Sequence, residues 1–448
     1  MYLKKDKFLV VGMSKSGTAC AEFLLKRGAV CYVYDDSDSP KIAEICTGIQ
    51  NCGGVWVGKK EVYDLLNEID VLVLSPGVAI DHDLPIRARK LGKRIIGEME
   101  LAYNFCKSPI IAVTGTNGKT TTCTMIDSVL KNADISTVLC GNIGKPLIST
   151  VDGLKGNEIM VVEASSFQLE TASAFTPHVA VITNVTPDHL SRHYNMENYV
   201  FVKSRILANL KESEYAVLCY DDPLVQRLAE KTRAKILYFS AKTQVNGSYV
   251  EDGKIYFKGE AVAKLDDLPI KGEHNILNFL ATLCVAKAMG LSCDDAVDGI
   301  KQFKGVKHRI QHVATVNGVE YVNDSKATNI DATCKAIDSM SRPTVLILGG
   351  KDKGIAFDGM FEKIKNSRVK SVVVTGESRY RLLDSAKKVE YGNVSMTEDF
   401  YRAIDLARLL ASEGDCVLLS PSCSSFDKFN DFEHRGDEFI RYVESFNG

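Results

Sequence analysis

The sequence predicts an α/β protein of three domains: a Rossmann-like N-terminal domain, a central P-loop ATP-binding domain with a small antiparallel sheet, and a Rossmann-like C-terminal domain. Three observations predict it. Short apolar, β-branched runs alternate with helix-length stretches along the chain, the pattern of βαβ units with parallel strands. Two glycine-rich turns, GMSKSG at 12–17 and GTNGKT at 115–120, each follow such a run and precede a helix-compatible one. The 448 residues are about three times the roughly 150 of a typical domain, enough for two to four separate cores.

Residues 1–97 form the first block. Strand KFLVV, a glycine turn, helix TACAEFLLKRG, strand VCYVYDD, a further helix and strand VLVLSPG outline a doubly wound parallel sheet. The turn is a GxGxxG with Ser14 in the middle place, and Asp35 ends the second strand 18 residues beyond Gly17. A middle glycine is what lets a pyrophosphate approach the backbone. Serine there leaves three readings open: a nicotinamide cofactor, another nucleotide-like ligand, or a structural turn.

Residues 98–305 form the second block. Its strand IIAVT runs into GTNGKTTT, a GxxGKT loop shorter than the GxxxxGK[ST] of ordinary nucleotide hydrolases. In such a loop, backbone N–H groups and a helix N-terminus face anionic oxygens, Lys119 neutralises them and Thr120 reaches magnesium. A plain glycine turn is the bland alternative. Strands IMVVE, VAVITN and YAVLCY follow; then Asn246-Gly247 and Asp252-Gly253 bracket short alternating strands, which are hairpin signals for an antiparallel sheet packed beside the parallel one. The third block, 306–448, opens on the hairpin HVATV-NG-VEYVND and continues with βα units at TVLILGG, SVVVTG and CVLLSPS.

Composition narrows the function. Fifty-five basic against 57 acidic residues leave a nearly neutral surface, which argues against nucleic acid or an anionic membrane as the main partner. No apolar run approaches the roughly 18 residues of a membrane span, and the N-terminus lacks the apolar core and cleavage site of a signal peptide. Thirteen cysteines without a CxxC pair read as reduced thiols of a cytoplasmic protein.

Candidate chemistry follows the loop. Glu163 ends a strand, where a carboxylate meets magnesium beside a phosphate loop or caps the next helix. His189 lies past another strand end, on the same sheet edge if the strands are parallel; a structural histidine reads equally well. Lys203 sits on a helix with apolar neighbours, where a solvated or salt-bridged lysine is the default. Arg309 offers a planar fork to phosphoryl oxygens or an interdomain salt bridge. NDSKATN at 323–329 packs an acid, a base and small polar groups after a strand, as a turn rich in capping residues also would.

TGTNGKTTT, EASSFQLE, NVTPDHL, KSRI, GEHNILN, GVKHR, NDSKATN, LGGKDKG and SPSCSSFDKFNDFEHRGDEF occur in the order they take in the Mur ligases of peptidoglycan synthesis, and the resemblance covers essentially the whole chain. The central motifs identify the superfamily, which includes folylpolyglutamate synthases; the C-terminal run and the domain before Lys119 distinguish the chain from those. It is most similar to the branch that adds D-glutamate, and the DNPR motif of the diaminopimelate-adding branch does not occur.

The resemblance implies ATP-dependent phosphorylation of the carboxylate of UDP-MurNAc-L-alanine, then attack by the amine of D-glutamate on the acyl phosphate. It implies that Gly115, Thr116, Asn117, Gly118, Lys119, Thr120, Thr121, Asn275, Asn278, Arg309, Asp324 and Lys326 bind ATP. Lys119, Glu163, His189, Lys203 and Arg309 are the implied catalytic residues. Two magnesium sites are implied at Thr120, Glu163, His189 and Lys203, the lysine being carbamylated by CO2. Lys15, Ser16, Asp35, Asp36, Ser75, Pro76, Gly77 and Asn142 are implied for the UDP substrate, although Ser14 replaces a common glycine and Asp36 a common threonine. His189, Thr328, Lys353, Ser425, Phe426 and Phe432 are implied for D-glutamate. The implied protein is cytoplasmic and monomeric, with a third domain that closes onto the nucleotide. A nicotinamide dehydrogenase, which leaves Lys119, Glu163 and the C-terminal run unexplained, and a non-catalytic nucleotide-binding module are the competing readings.

Overall fold

The computed structural model describes residues 5–269, 272–352, 354 and 356–447, and the chain divides into two compact units, Met1–Phe303 and Lys304–Gly448. The first unit holds two sheets and the second holds one.

The N-terminal sheet contains β1 (Lys7–Val11), β2 (Val30–Tyr34), β3 (Val55–Trp56), β4 (Val71–Leu74) and β5 (Arg94–Gly97), all parallel in the order β3-β2-β1-β4-β5. The order reverses at β1, so a crevice opens between the loops that leave β1 and β4. These are the GMSKSG turn and residues 75–78. A doubly wound sheet binds ligands at such a switch point. Asp35 lies one residue past β2 rather than at its end, and the helix Lys15–Lys26 begins earlier than the sequence suggests.

The central sheet contains β6 (Ile110–Thr114), β7 (Thr137–Gly141), β8 (Ile159–Glu163), β9 (Val179–Ile182), β10 (Tyr215–Cys219), β11 (Lys235–Ser240), β12 (Gly247–Glu251), β13 (Lys254–Phe257) and β14 (Glu260–Lys264), ordered β14-β13-β12-β11-β10-β9-β6-β8-β7. Strands β6, β8 and β9 are buried at every residue, as expected where helices cover both faces of a parallel sheet. The phosphate loop therefore springs from a fully covered strand between β8 and β9, which carry Glu163 and the segment leading to His189.

The antiparallel strands are those the sequence marks, but they do not form a sheet of their own. Strands β12, β13 and β14 extend the edge of the parallel sheet. Asp252-Gly253 is a hairpin turn, with both residues at positive φ (48° and 72°). Asn246-Gly247 is not, because β11 and β12 run parallel. Gly247 is required there for another reason: at φ 155° a Cβ would stand 1.9 Å from the Tyr238 carbonyl oxygen.

The second unit contains β15 (Gln311–Val316), β16 (Val319–Asn323), β17 (Thr344–Gly349), β18 (Val369–Thr375), β19 (Val394–Met396) and β20 (Cys416–Leu419), ordered β15-β16-β20-β17-β18-β19. Only β15 pairs antiparallel, through the Asn317-Gly318 hairpin. Successive strand residues point to opposite faces. Leu346, Leu348, Val372 and Val374 pack with Ile337, Phe361 and Leu382 on one side. Val345, Ile347, Val373 and Val417 pack with Phe400, Ile404 and Phe439 on the other. The unit thus has its own two-faced core. All thirteen cysteines are free thiols, and among the described residues no helix is long and apolar enough to cross a membrane.

Candidate functional site

The phosphate loop is built by backbone geometry first. Gly118 adopts the left-handed conformation (φ 85°) and caps the helix Lys119–Asn132, so the turn ends directly on a helix N-terminus. The loop is fastened to the strand-end beyond β9: Asn117 N–H donates to Asn184 Oδ1 at 2.9 Å, and the Thr183 hydroxyl donates to Asn117 O at 2.6 Å. Thr116 is tied through its hydroxyl to Thr186 O (3.1 Å) and Tyr199 Oη (3.3 Å).

Two amines converge on one carbonyl of this loop. Lys119 Nζ donates to Gly115 O at 2.9 Å and to Thr116 O at 2.8 Å; Lys203 Nζ donates to the same Gly115 O at 2.7 Å. Lys203 is 1 % exposed, its amine 4.6 Å from the Tyr199 ring centroid. Burial, and then the charge of Lys119, push its pKa well below the ordinary lysine value. The solvated lysine expected by default is therefore a buried amine whose charge the surroundings disfavour. The sequence cue was the apolar character of YVFVKSRIL, but only the fold turns that face onto Gly115.

On the other side of the loop, the Thr120 hydroxyl donates to Glu163 Oε2 at 2.7 Å, and Asn142 Nδ2 donates to Oε1 at 2.9 Å. A hydroxyl and a carboxylate in contact at a helix N-terminus are hard oxygen donors suited to magnesium. His189 stands apart in character: it is at φ 53°, half-exposed, 3.5 Å from Asp188 and against the Phe167 ring. Among the described residues, no three His, Cys, Asp or Glu side chains are gathered into a metal cluster. Asn278 lies against the loop itself. Its Oδ1 accepts from Thr122 at 3.1 Å, its amide faces Asn275 Oδ1 at 3.4 Å, and a Cβ on Gly118 would come within 2.5 Å of it.

At the N-terminal crevice, Asp35 braces the glycine turn: its carboxylate accepts from Met13 N (2.6 Å) and Ser37 N (2.8 Å). Asp36 receives the Tyr34 hydroxyl at 2.6 Å and pairs with His82 at 2.9 Å. The Ser75 hydroxyl donates to Gly12 O at 2.5 Å, joining the loops after β1 and β4. Lys15 and Ser16 open the helix after the turn, so this crevice gathers Lys15, Ser16, Asp35, Asp36, Ser75, Pro76 and Gly77, while Asn142 belongs with Glu163.

The second unit collects the remaining candidates at the C-terminal ends of its strands. Asp324 is buried; desolvation raises its carboxyl to about 7 although Ser420 Oγ donates to it at 2.7 Å and Arg309 lies near. Lys326 sits over the Phe432 ring, 5.2 Å from its centroid, which places a candidate for ATP beside one for D-glutamate. Ser425 is buried and Phe426 is 69 % exposed. Thr328 follows Lys326 in the same turn, its N–H donating to Lys326 O at 2.9 Å. Lys353 lies outside the described residues. Residue-by-residue reading missed Arg435, buried in FEHRG, whose guanidinium donates to Ser325 Oγ, Ser325 O, Gly349 O and Cys423 O at 2.9–3.4 Å. Its cue was an arginine on the apolar face of an amphipathic helix. It also missed Arg192, for which no local signal existed.

A short phosphate loop at the end of a covered strand, with an amine buried on its first carbonyl, is the site of a nucleotide-handling enzyme of the ligase type. The chain belongs to the Mur ligase family: family models match residues 6–97 (Mur ligase MurD-like, N-terminal domain), 113–286 (Mur ligase middle domain) and 308–423 (Mur ligase, glutamate ligase domain). Its relatives include the UDP-N-acetylmuramoylalanine--D-glutamate ligase of Pelotomaculum thermopropionicum, 42% identical with 98% of each chain covered. The enzyme of the same name from Clostridioides difficile is 39% identical, again over 98% of both. Among solved structures, the UDP-N-acetylmuramate-alanine ligase of Thermotoga maritima superposes with a TM-score of 0.61 at 20% identity, covering 98% of this chain and 99% of that one. The MurF ligase of Thermotoga maritima in complex with ADP gives 0.61 at 16%, covering 99% of each. These likenesses bear on the fold.

Proposed function

We propose that the protein is an ATP-dependent amide ligase that joins D-glutamate to UDP-N-acetylmuramoyl-L-alanine in cytoplasmic peptidoglycan precursor synthesis. The observation that carries the reading is the convergence of Lys119 and Lys203 on Gly115 O beside the Thr120–Glu163 pair. It is joined by full-length relatives of that name.

The chemistry is a two-step acyl transfer. A carboxylate oxygen of the L-alanyl group attacks the γ-phosphorus of ATP and ADP leaves; the D-glutamate amine then attacks the acyl carbon, and phosphate departs from the tetrahedral intermediate. An amine cannot expel oxide from a carboxylate, whereas phosphate is a competent leaving group, so catalysis is positioning and charge neutralisation. Loop residues 115–121 present backbone N–H groups to the phosphates, and Lys119 neutralises them. Asn275 and Asn278 take the nucleotide side, with Arg309, Asp324 and Lys326 of the second unit as further nucleotide ligands.

Thr120 and Glu163 would hold magnesium, and His189 and Lys203 a second ion, which would supply countercharge for the phosphoryl oxygens. Lys203 would serve the second ion as a carbamate, its amine adding to CO2 with an N–C bond formed and a proton lost; burial disfavours the charged ammonium, which cannot add. The crevice residues Lys15, Ser16, Asp35, Asp36, Ser75, Pro76 and Gly77, with Asn142, take the UDP-linked substrate. Thr328, Lys353, Ser425, Phe426 and Phe432, with His189, take D-glutamate.

Phosphate release from ATP is expected only when UDP-MurNAc-L-alanine and D-glutamate are both present, and release with either alone would overturn the reading. A panel of amino acids tested with ATP and UDP-MurNAc-L-alanine identifies the acceptor, with D-glutamate expected to be preferred. Lys203→Ala is expected to lose turnover and to regain part of it with a short carboxylic acid; unchanged turnover removes Lys203 from the mechanism.

A further inference from the structure

Between the N-terminal and central sheets, one side chain holds a loop that lies far from it in sequence. Arg192 belongs to the short helix Leu190–His193, which starts directly after His189. Its guanidinium donates to Glu170 from Nε at 3.0 Å and from Nη2 at 2.6 Å, a two-pronged ion pair whose carboxylate side chain is 3 % exposed. The same group donates to three successive carbonyls of the loop after β4: Val78 O at 2.9 Å, Gly77 O at 3.3 Å and Pro76 O at 3.4 Å. Its flat face covers Phe167 at 4.8 Å from the centroid.

The neighbours reinforce this arrangement. Tyr194 Oη, two residues on, donates to Asp81 farther along the same loop. His82 then pairs with Asp36 at 2.9 Å, and Tyr34 donates to Asp36 at 2.6 Å. A continuous set of contacts therefore runs from the segment that begins at His189, through residues 76–82, to the side chains at the end of β2. Arg192 is the countercharge of a carboxylate buried beneath the loop, and a cleft lies there between Ser75, Pro76 and Val78 on one side and Phe167, Glu170 and Thr171 on the other.

We propose that Arg192 is a positioning residue for the UDP-linked substrate: it fixes the loop at residues 76–78 in register with the phosphate-loop domain, so that a substrate held by its diphosphate at the crevice presents its carboxylate at a set place. The proposal rests on the function proposed above. Arginine is suited to the task because one rigid fork serves a carboxylate and three carbonyls at once, which a lysine ammonium cannot span.

The test compares Arg192→Ala, Arg192→Lys and Glu170→Gln with the wild type. Calorimetric binding of UDP-MurNAc-L-alanine without ATP, steady-state kinetics and hydrogen exchange of the 75–80 backbone are measured on the full chain. In Arg192→Ala, binding of the UDP substrate weakens and its KM rises about tenfold or more, since a shift of about 1 Å in positioning is costly. The KM for ATP stays within about twofold, and exchange at 75–80 quickens. Arg192→Lys fails to restore the wild-type values, and Glu170→Gln shifts them in the same direction by less. Equal rises in the KM for ATP, full rescue by lysine, or unchanged exchange would overturn the proposal. Wild-type protein that binds no UDP-MurNAc-L-alanine would instead overturn the functional reading and the substrate named here, while the exchange comparison would still report whether Arg192 holds the loop.

Discussion

Glu98 shows how much one residue depends on where the chain puts it. In the sequence it is an ordinary helix-starting glutamate after β5, its position in the first turn favourable to the helix dipole. In the fold it is 1 % exposed, and Oε1 accepts from Ile148 N at 2.7 Å. Burial raises its carboxyl from 4.5 to about 7. Because the folded pKa lies above the unfolded one, the folded state retains a proton that the unfolded chain has lost between those values, so this group's contribution to stability falls as pH rises through that window. Glu98→Gln is therefore expected to be stabilising relative to the wild type at pH 8, by about 3 kcal/mol at most, and near neutral at pH 4.5. Urea unfolding at the two pH values checks it; a difference independent of pH would refute the assignment. Lys203 is the opposite case, a cation whose charge is disfavoured by the same burial, and neither shift is readable from neighbours in sequence.

At the scale of elements, the phosphate loop was legible because its requirements are local. A β-run, two glycines at fixed spacing and a helix-forming stretch specify strand, turn and helix N-terminus without any distant partner. Gly118→Ala tests that reading: a Cβ at φ 85° is strained and would meet Asn278 Oδ1 at 2.5 Å. The expected outcome is about 1–3 kcal/mol of lost stability and a raised KM for ATP, with nearly unchanged binding of UDP-MurNAc-L-alanine. Wild-type kinetics in that variant would show that the left-handed turn is dispensable. The Asn246-Gly247 pair marks the limit of local signals. The dipeptide favours a hairpin, but here the neighbouring strands run parallel, and Gly247 serves a close approach to Tyr238 instead.

Across the whole molecule, the unit Lys304–Gly448 has a six-stranded sheet and a packed core on each face of it. Residues 304–448 expressed alone are therefore expected to fold cooperatively, with a sharp thermal transition and near-ultraviolet circular dichroism; a broad, non-cooperative melt would show that the core needs the rest of the chain. The alternation of strands and helices, the glycine turns, and the places of Lys119 at the loop's end and Glu163 at a strand end were determined by the sequence itself, because periodicity and short-range spacing encode them. Which groups meet was decided only by tertiary structure. Arg192 lies more than a hundred residues from the carbonyls it holds, and Lys203 reaches Gly115 O across 88 residues of chain. The free energies of such contacts depend on burial and direction, which arise only when β6, β8 and β9 stand side by side.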